Sequence, residues 1–334
     1  MKKSLIALAV LAASGAAMAQ SSVTTYGILD VWFGSKKTDD GKTSLTQTVL
    51  ESGGVNGSRW GLKGTEDLGG GLKAIFDLQS GIGVDNGASQ QGGLLFGRGA
   101  WVGLSGGFGS VKFGRIATPY IDVDGASDAM FNSGVSPATV NFKSMYGNYT
   151  LRTNNTIAYY SPTFGGFSGA ISYGLGEDKT TTQSASSYTS LNLTYAAGPV
   201  AVQFGYQKDD KNSAQDDTAV TRLGGSFDFG MAKAKLLYGK VTNMGYVKDA
   251  EATEWQLGAD VPVSKALTLS ASYAKSTDNA VAGDAKRSGF GFAGAYTLSK
   301  RTFLYAAASW NKTEKTGMAD AKTDIFALGM QHRF

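Results

Sequence analysis

From residue 20 to the C-terminus, apolar and polar side chains alternate with a period of two. Trp255, Leu257, Ala259 and Val261 alternate with Glu254, Gln256, Gly258 and Asp260. Leu267, Leu269, Ala271 and Tyr273 repeat the pattern against Thr268, Ser270 and Ser272, as do Val200, Val202, Phe204 and Tyr206 against Ala201, Gln203 and Gly205. Leu72, Ala74, Phe76 and Leu78 oppose Lys73, Ile75, Asp77 and Gln79, and the last segment sets Phe326, Leu328, Met330 and Phe334 against Gln331 and Arg333. Successive strand side chains point to opposite faces, so each segment reads as a strand with one apolar and one polar face.

Two kinds of connection alternate between the strands. Seven are short and marked by turn residues, at 67–70, 105–108, 162–165, 197–199, 228–230, 262–265 and 298–301. Eight are longer and polar, around 36–56, 83–92, 116–153, 176–186, 208–217, 242–251, 276–286 and 311–322. Fifteen connections predict sixteen strands, with both termini on the short-turn side. The polar faces carry Arg, Lys, Asp, Gln and Thr. Aromatic residues gather at the apolar strand ends: Tyr26, Trp60, Tyr173, Tyr195, Tyr206, Tyr238, Trp255, Tyr273, Tyr296, Phe303 and Tyr305. A soluble sandwich would bury its apolar faces in a core. Polar faces on strand after strand, with aromatic belts, fit instead an all-β fold, a 16-stranded antiparallel transmembrane β-barrel with lipid outside and water inside.

Composition narrows the chemistry. Of 334 residues, 46 are glycine, none is cysteine and one is histidine, and the net charge is +4. So much glycine opposes a helical protein, because each helical glycine costs about 1 kcal/mol against alanine. Without cysteine there is no disulfide, thiolate metal site or catalytic thiol. His332 falls on the apolar face of the last strand. That excludes a Ser-His triad and a histidine metal cluster, and no calcium-binding Asp-x-Asp-x-Asp-Gly loop with its terminal Glu appears. The expectation is a non-enzyme without cofactor or metal, and the mild charge does not imply nucleic acid. Met1-Lys2-Lys3, the apolar run Leu5–Ala13 and Ala17-Met18-Ala19 read as a signal peptide over residues 1–19. The barrel then occupies residues 20–334, about 20 residues per strand and connection, room enough for strands of about 9–11 residues.

One connection is unlike the others. The stretch from Ile116 to Thr153 is long and rich in apolar residues, including Ile121, Val123, Met130 and Phe131. Structureless loops beyond about 15 residues are usually functional or disordered. An apolar one is expected to fold into the lumen and narrow it.

The chain resembles the general diffusion porins of Neisseria and other β-proteobacteria. The resemblance is carried by Val23–Asp30, by Gly57-Ser58-Arg59-Trp60-Gly61-Leu62-Lys63-Gly64 continuing to Ala74, by Phe113-Gly114-Arg115, by Arg152–Pro162 and by the ending His332-Arg333-Phe334. It implies an outer-membrane, water-filled channel for passive diffusion of small hydrophilic solutes, and a homotrimer set among outer-membrane lipid and lipopolysaccharide. It also implies recognition of the terminal strand, closing on Phe334, by the barrel assembly machinery. In such channels basic residues on the wall face acids on the third long loop. By motif position the wall residues are Arg59, Arg98 and Arg152, with Lys63 beside them. Period two supports Arg59, which shares a face with Gly61 and Lys63, opposite Trp60 and Leu62. Arg98 fits less well, because its parity is that of Ala100, Val102 and Leu104; Arg115 is expected at a strand end, anchoring the loop. The Pro-Glu-Phe-Gly segment common in this loop is absent, leaving Asp122, Asp124 and Asp128 as the candidate acids. More cations than acids predict weak anion preference. A substrate-specific channel would need lumen-facing aromatics, and no concentration of them is read here. An adhesin-type barrel would not conduct.

Overall fold

An alternating segment with lipid on one side and water on the other is satisfied residue by residue only as a strand, and closure into a barrel leaves no unpaired edge. The computed structural model describes residues 22–123, 127–145, 147–212 and 215–334. The signal peptide read at 1–19 lies outside them. The strands are β1 (Ser22–Asp39), β2 (Ser44–Ser52), β3 (Arg59–Gly69), β4 (Leu72–Gly81), β5 (Gly99–Gly106), β6 (Gly109–Ala117), β7 (Arg152–Tyr160), β8 (Phe167–Leu175), β9 (Ser187–Ala197), β10 (Val200–Asp210), β11 (Thr218–Asp228), β12 (Lys233–Thr242), β13 (Ala252–Pro262), β14 (Leu267–Asp278), β15 (Ala285–Thr297), β16 (Thr302–Lys315) and β17 (Ala321–Arg333).

These segments make a barrel of sixteen strands, because β2 and β3 are halves of one. β1 pairs with β3 from Ser22↔Thr65 to Ile28↔Arg59, then with β2 from Val31↔Ser52 to Asp39↔Ser44. Residues 53–58 interrupt the shared partner. The other edge of β1 pairs antiparallel with β17 from Ile28↔Arg333 to Asp39↔Lys322, which closes the sheet. Gly27 and Phe334 exchange backbone hydrogen bonds of 3.1 Å at the seam. The long polar connection expected at 36–56 is therefore mostly strand: only residues 40–43 join β1 to β2. Charged residues such as Lys36 and Glu51 made that hairpin read as loop, yet they pair across it at 2.9 Å.

The burial is inverted relative to a soluble protein. Leu257 and Leu328 are 57% and 64% exposed, while Glu254 and Gln331 are fully buried. The apolar side chains clothe the outside, and the polar ones point inward, as lipid and water require. Three expected belt residues are corrected. Tyr26 shares the face of Lys63 and bonds Asp77, while Phe303 and Tyr305 turn inward and pack with Trp32. On β16 the outward residues are instead Leu304 and Trp310, the latter stacked on Phe290 at 4.9 Å. The error was one of register, since a single-residue slip exchanges the faces of a whole strand.

Candidate functional site

The connection between β6 and β7 attaches itself to inner-face residues of β9–β16. Its first element is a 3-10 turn, Pro119–Val123. The backbone N–H of Tyr120 donates to Ser190 Oγ at 3.0 Å, and Asn192 Nδ2 donates to the carbonyl of Pro119 at 2.8 Å. The Tyr120 ring lies 4.7 Å under the guanidinium of Arg222, and its hydroxyl donates to the Ser144 carbonyl at 3.0 Å. Arg222 also donates to that carbonyl. Glu254 accepts the backbone N–H groups of Lys143 and, at 3.0 Å, Ser144, and the hydroxyl of Ser276 at 3.1 Å. Between these points a short helix, Pro137–Asn141, sets Ala138 among Leu237 and Ala274.

A row of glycines makes room for the loop. Gly205, Gly224, Gly239, Gly258 and Gly291 sit on β10, β11, β12, β13 and β15. A Cβ on them would run into Val123, Ser127, Ser144, Ala129 and Met130 respectively. These glycines weaken their strands intrinsically, and the close approach of a second backbone is what they permit.

A second inward feature meets the loop. Asp30, fully buried, accepts backbone N–H groups of Gly54 (3.0 Å), Val55 (3.2 Å) and Asn56 (2.8 Å) and the hydroxyl of Tyr305 (2.7 Å). This folds residues 53–58 into a compact knob. Gly134 of the loop donates to the Gly54 carbonyl at 2.8 Å, and Val135 and Phe131 pack with Val55, Trp32 and Tyr305. Nothing in the alternation at 20–60 singles out Asp30; the Gly-Gly-Val-Asn-Gly run at 53–57 was its one sequence signal.

The wall from β3 to β7 is where the cations collect. Arg98 Nε donates to Gln79 Oε1 at 2.8 Å, Gln79 Nε2 to the Tyr26 hydroxyl at 2.7 Å, and that hydroxyl to Asp77 at 2.6 Å. Arg152 Nε donates to the carbonyl of Arg98 at 3.1 Å. Arg59 and Lys63 flank Tyr26, with the Lys63 ammonium 5.0 Å from its ring. Arg98 precedes β5, so strand parity does not reach it. Val102 and Leu104, expected on its face, are exposed on the outside, and the inner face of β5 carries Trp101 instead. Arg115 follows an irregularity in β6 and bonds the Gly97 carbonyl (2.9 Å) and Asn154 (2.6 Å), tying the strand end down.

Lys112 was missed. It stands on the inner face of β6, 4.5 Å from the ring of Trp101 and 4.0 Å from that of Tyr160, and acts electrostatically on Asp77 and Asp122. Its alternation with Val111 and Phe113 was the available signal.

The three candidate acids separate. Asp122 remains accessible, and the protein around it pushes its carboxyl up to about 6, against Lys112 and Asn192, which favour the charged form. Asp128 is fully buried. It accepts Ser136 Oγ (2.8 Å) and Gln256 Nε2 (2.6 Å), while Lys235 donates to its carbonyl (2.9 Å). Burial pushes its carboxyl up to about 7. Asp124 lies outside the described residues.

A closed sixteen-stranded barrel with an apolar exterior and a polar, cation-rich interior is an outer-membrane channel. The model of the Gram-negative porins matches residues 5–316. An outer membrane porin of Bordetella pertussis is 34% identical over all of both chains, and outer membrane porin protein 32 of Delftia acidovorans is 37% identical over 99% of this chain and 95% of its own. The solved anion-selective porin of Comamonas acidovorans superposes with a TM-score of 0.79 at 29% identity, covering 94% of this chain and all of that one. The chain belongs to the Gram-negative porin family. It is an outer-membrane porin, a channel for passive diffusion.

Proposed function

We propose that the β6–β7 loop is the constriction of this channel and that the constriction prefers anions. The observation that carries the reading is the separation of charge: Arg59, Lys63, Arg98, Lys112 and Arg152 lie on the stretch of wall outside the loop's anchor sites, while Asp128 is sealed away beneath the loop. Of the described loop acids, Asp122 alone is left to oppose them. Rings of fixed charge bias which ion enters, and the similar Comamonas channel is named as anion-selective. Reversal potentials across planar bilayers in a KCl gradient test it. A chloride-directed potential is expected; a clear potassium-directed one overturns the reading.

The remaining roles rest on resemblance. The barrel assembles as a homotrimer among outer-membrane lipid and lipopolysaccharide. Residues 1–19 direct export and are removed. The assembly machinery reads the last strand through Phe334. The role proposed for the protein is passage rather than catalysis, as for the channel-forming porins it resembles.

A further inference from the structure

The inner wall toward the short-turn end is aromatic as well as basic. Tyr26, Trp101 and Tyr160 all present their rings on the inner face, where the alternation had shown no concentration of aromatics. Lys112 lies over both Trp101 and Tyr160. Beside Trp101 is a hollow of about 230 Å³, bounded by Ile75, Trp101, Lys63 and Asp77, with hydroxyls from Thr24 and Thr65 at its rim. One side of the hollow is flat and apolar. The other carries an ammonium and hydroxyl donors. Asp77 is occupied by the Tyr26 hydroxyl at 2.6 Å, and its charge is opposed by Lys63 and Lys112.

We propose that this hollow is a subsite for planar aromatic anions, aryl carboxylates and sulfonates, on the inner wall between the constriction and the short-turn end. The proposal rests on the channel reading and deepens it. The ring of the solute lies against Trp101 and Ile75, and its anionic group meets Lys63 and the threonine hydroxyls. A chloride ion uses the same positive wall but gains nothing from the rings. Ring–ring contact is worth about 0.5–1.5 kcal/mol beyond area burial, so the subsite discriminates by roughly two- to twelvefold between aromatic and saturated rings of one charge.

The test is block of the chloride current through bilayer-reconstituted protein at pH 7.5, where benzoate and cyclohexanecarboxylate are both ionised. Wild type is expected to be half-blocked by benzoate at about a fivefold lower concentration than by cyclohexanecarboxylate. Trp101→Leu keeps an apolar wall without the π-face; its chloride conductance reports on folding, and its two half-block concentrations converge. Lys63→Met weakens block by both solutes, and Lys63→Arg restores it. Equal block of wild type by the two solutes overturns the subsite, as does a benzoate preference unchanged in Trp101→Leu. Absence of any stepwise current in wild type overturns the channel reading instead.

Discussion

Arg152 donates its Nε–H to the main-chain carbonyl of Arg98 at 3.1 Å, so one peptide group positions two cations on the same wall. The Arg98 guanidinium is directed in turn by Gln79. Like charges held this close are tolerable beside water and raise the local anion concentration. Arg152→Gln removes one charge and a bond that positions its neighbour. The chloride-to-potassium permeability ratio is expected to fall by up to about fourfold at low salt, since one charge at roughly 10 Å in water acts with opposite sign on the two ions, and by less as salt screens it. Reversal potentials read it. Arg59→Ala is expected to lower the ratio in the same way and to raise single-channel conductance by widening the passage.

Asp122 gives the selectivity a pH dependence. Its carboxyl, held up at about 6 against an ordinary 3.8, is charged at pH 7.5 and largely neutral at pH 5. Its loss of charge removes the one acid that opposes Lys112 among the described loop residues. Anion preference should therefore rise on acidification, with a midpoint near 6. In Asp122→Asn the ratio should stand at the acidic value throughout that range. A wild-type ratio flat between pH 5 and 7.5 would exclude Asp122 from the passage.

Acid should also tighten the loop. Asp122 and Asp128 both titrate above the ordinary carboxylate value when folded, near 6 and near 7. A raised carboxyl contributes stability fully below its unfolded pKa of 3.8 and loses it as pH rises through the folded value. For Asp128 the loss runs upward from 3.8 and is complete above about 7. Loop protection, measured by amide exchange at residues 128–136, should be greater at pH 5 than at pH 8 after correction for the intrinsic rate. Asp128→Asn should remove most of the difference.

Glu254 ties the far end of the loop to β13. Glu254→Ala leaves the N–H groups of Lys143 and Ser144 without their carboxylate and removes a favourable charge from near Arg222. Each stranded buried donor costs about 1–3 kcal/mol, so the loop segment should open far more often. Excess noise on the open-channel current is the expected signature, with Glu254→Gln intermediate.

The glycine row can be tested from the wall. At Gly258 a side chain would meet Ala129 and strand backbone, and no rotamer adjustment frees the space. Gly258→Val should displace the loop, raise single-channel conductance and erode anion selectivity, while the barrel keeps its β-sheet circular dichroism. Gly198, in a short turn with nothing within 4 Å of a Cβ, provides the control for adding a side chain to a glycine through Gly198→Asn, which tolerates its φ of +55°.

The sequence by itself determined the architecture. Alternation such as Trp255-Gln256-Leu257 can satisfy lipid and water only by separating them across a sheet, and fifteen alternating connections divide the chain into sixteen strands. Motif position, with parity for Arg59, pointed to Arg59 and Arg152 as candidates for the wall. Register, and therefore which face some residues occupy, was decided by pairing partners far away in the chain: Tyr305 turns inward because Asp30 waits there, and Arg98 escapes the parity of β5 because it lies outside the strand. The fate of the loop acids was likewise tertiary. Asp122 and Asp128 are both aspartates on one loop, and only their surroundings make one accessible beside Lys112 and bury the other under Gln256. A carboxylate's role is set by the water and charge around it, and for Asp128 those come from a strand more than 100 residues distant, in the contact from Gln256.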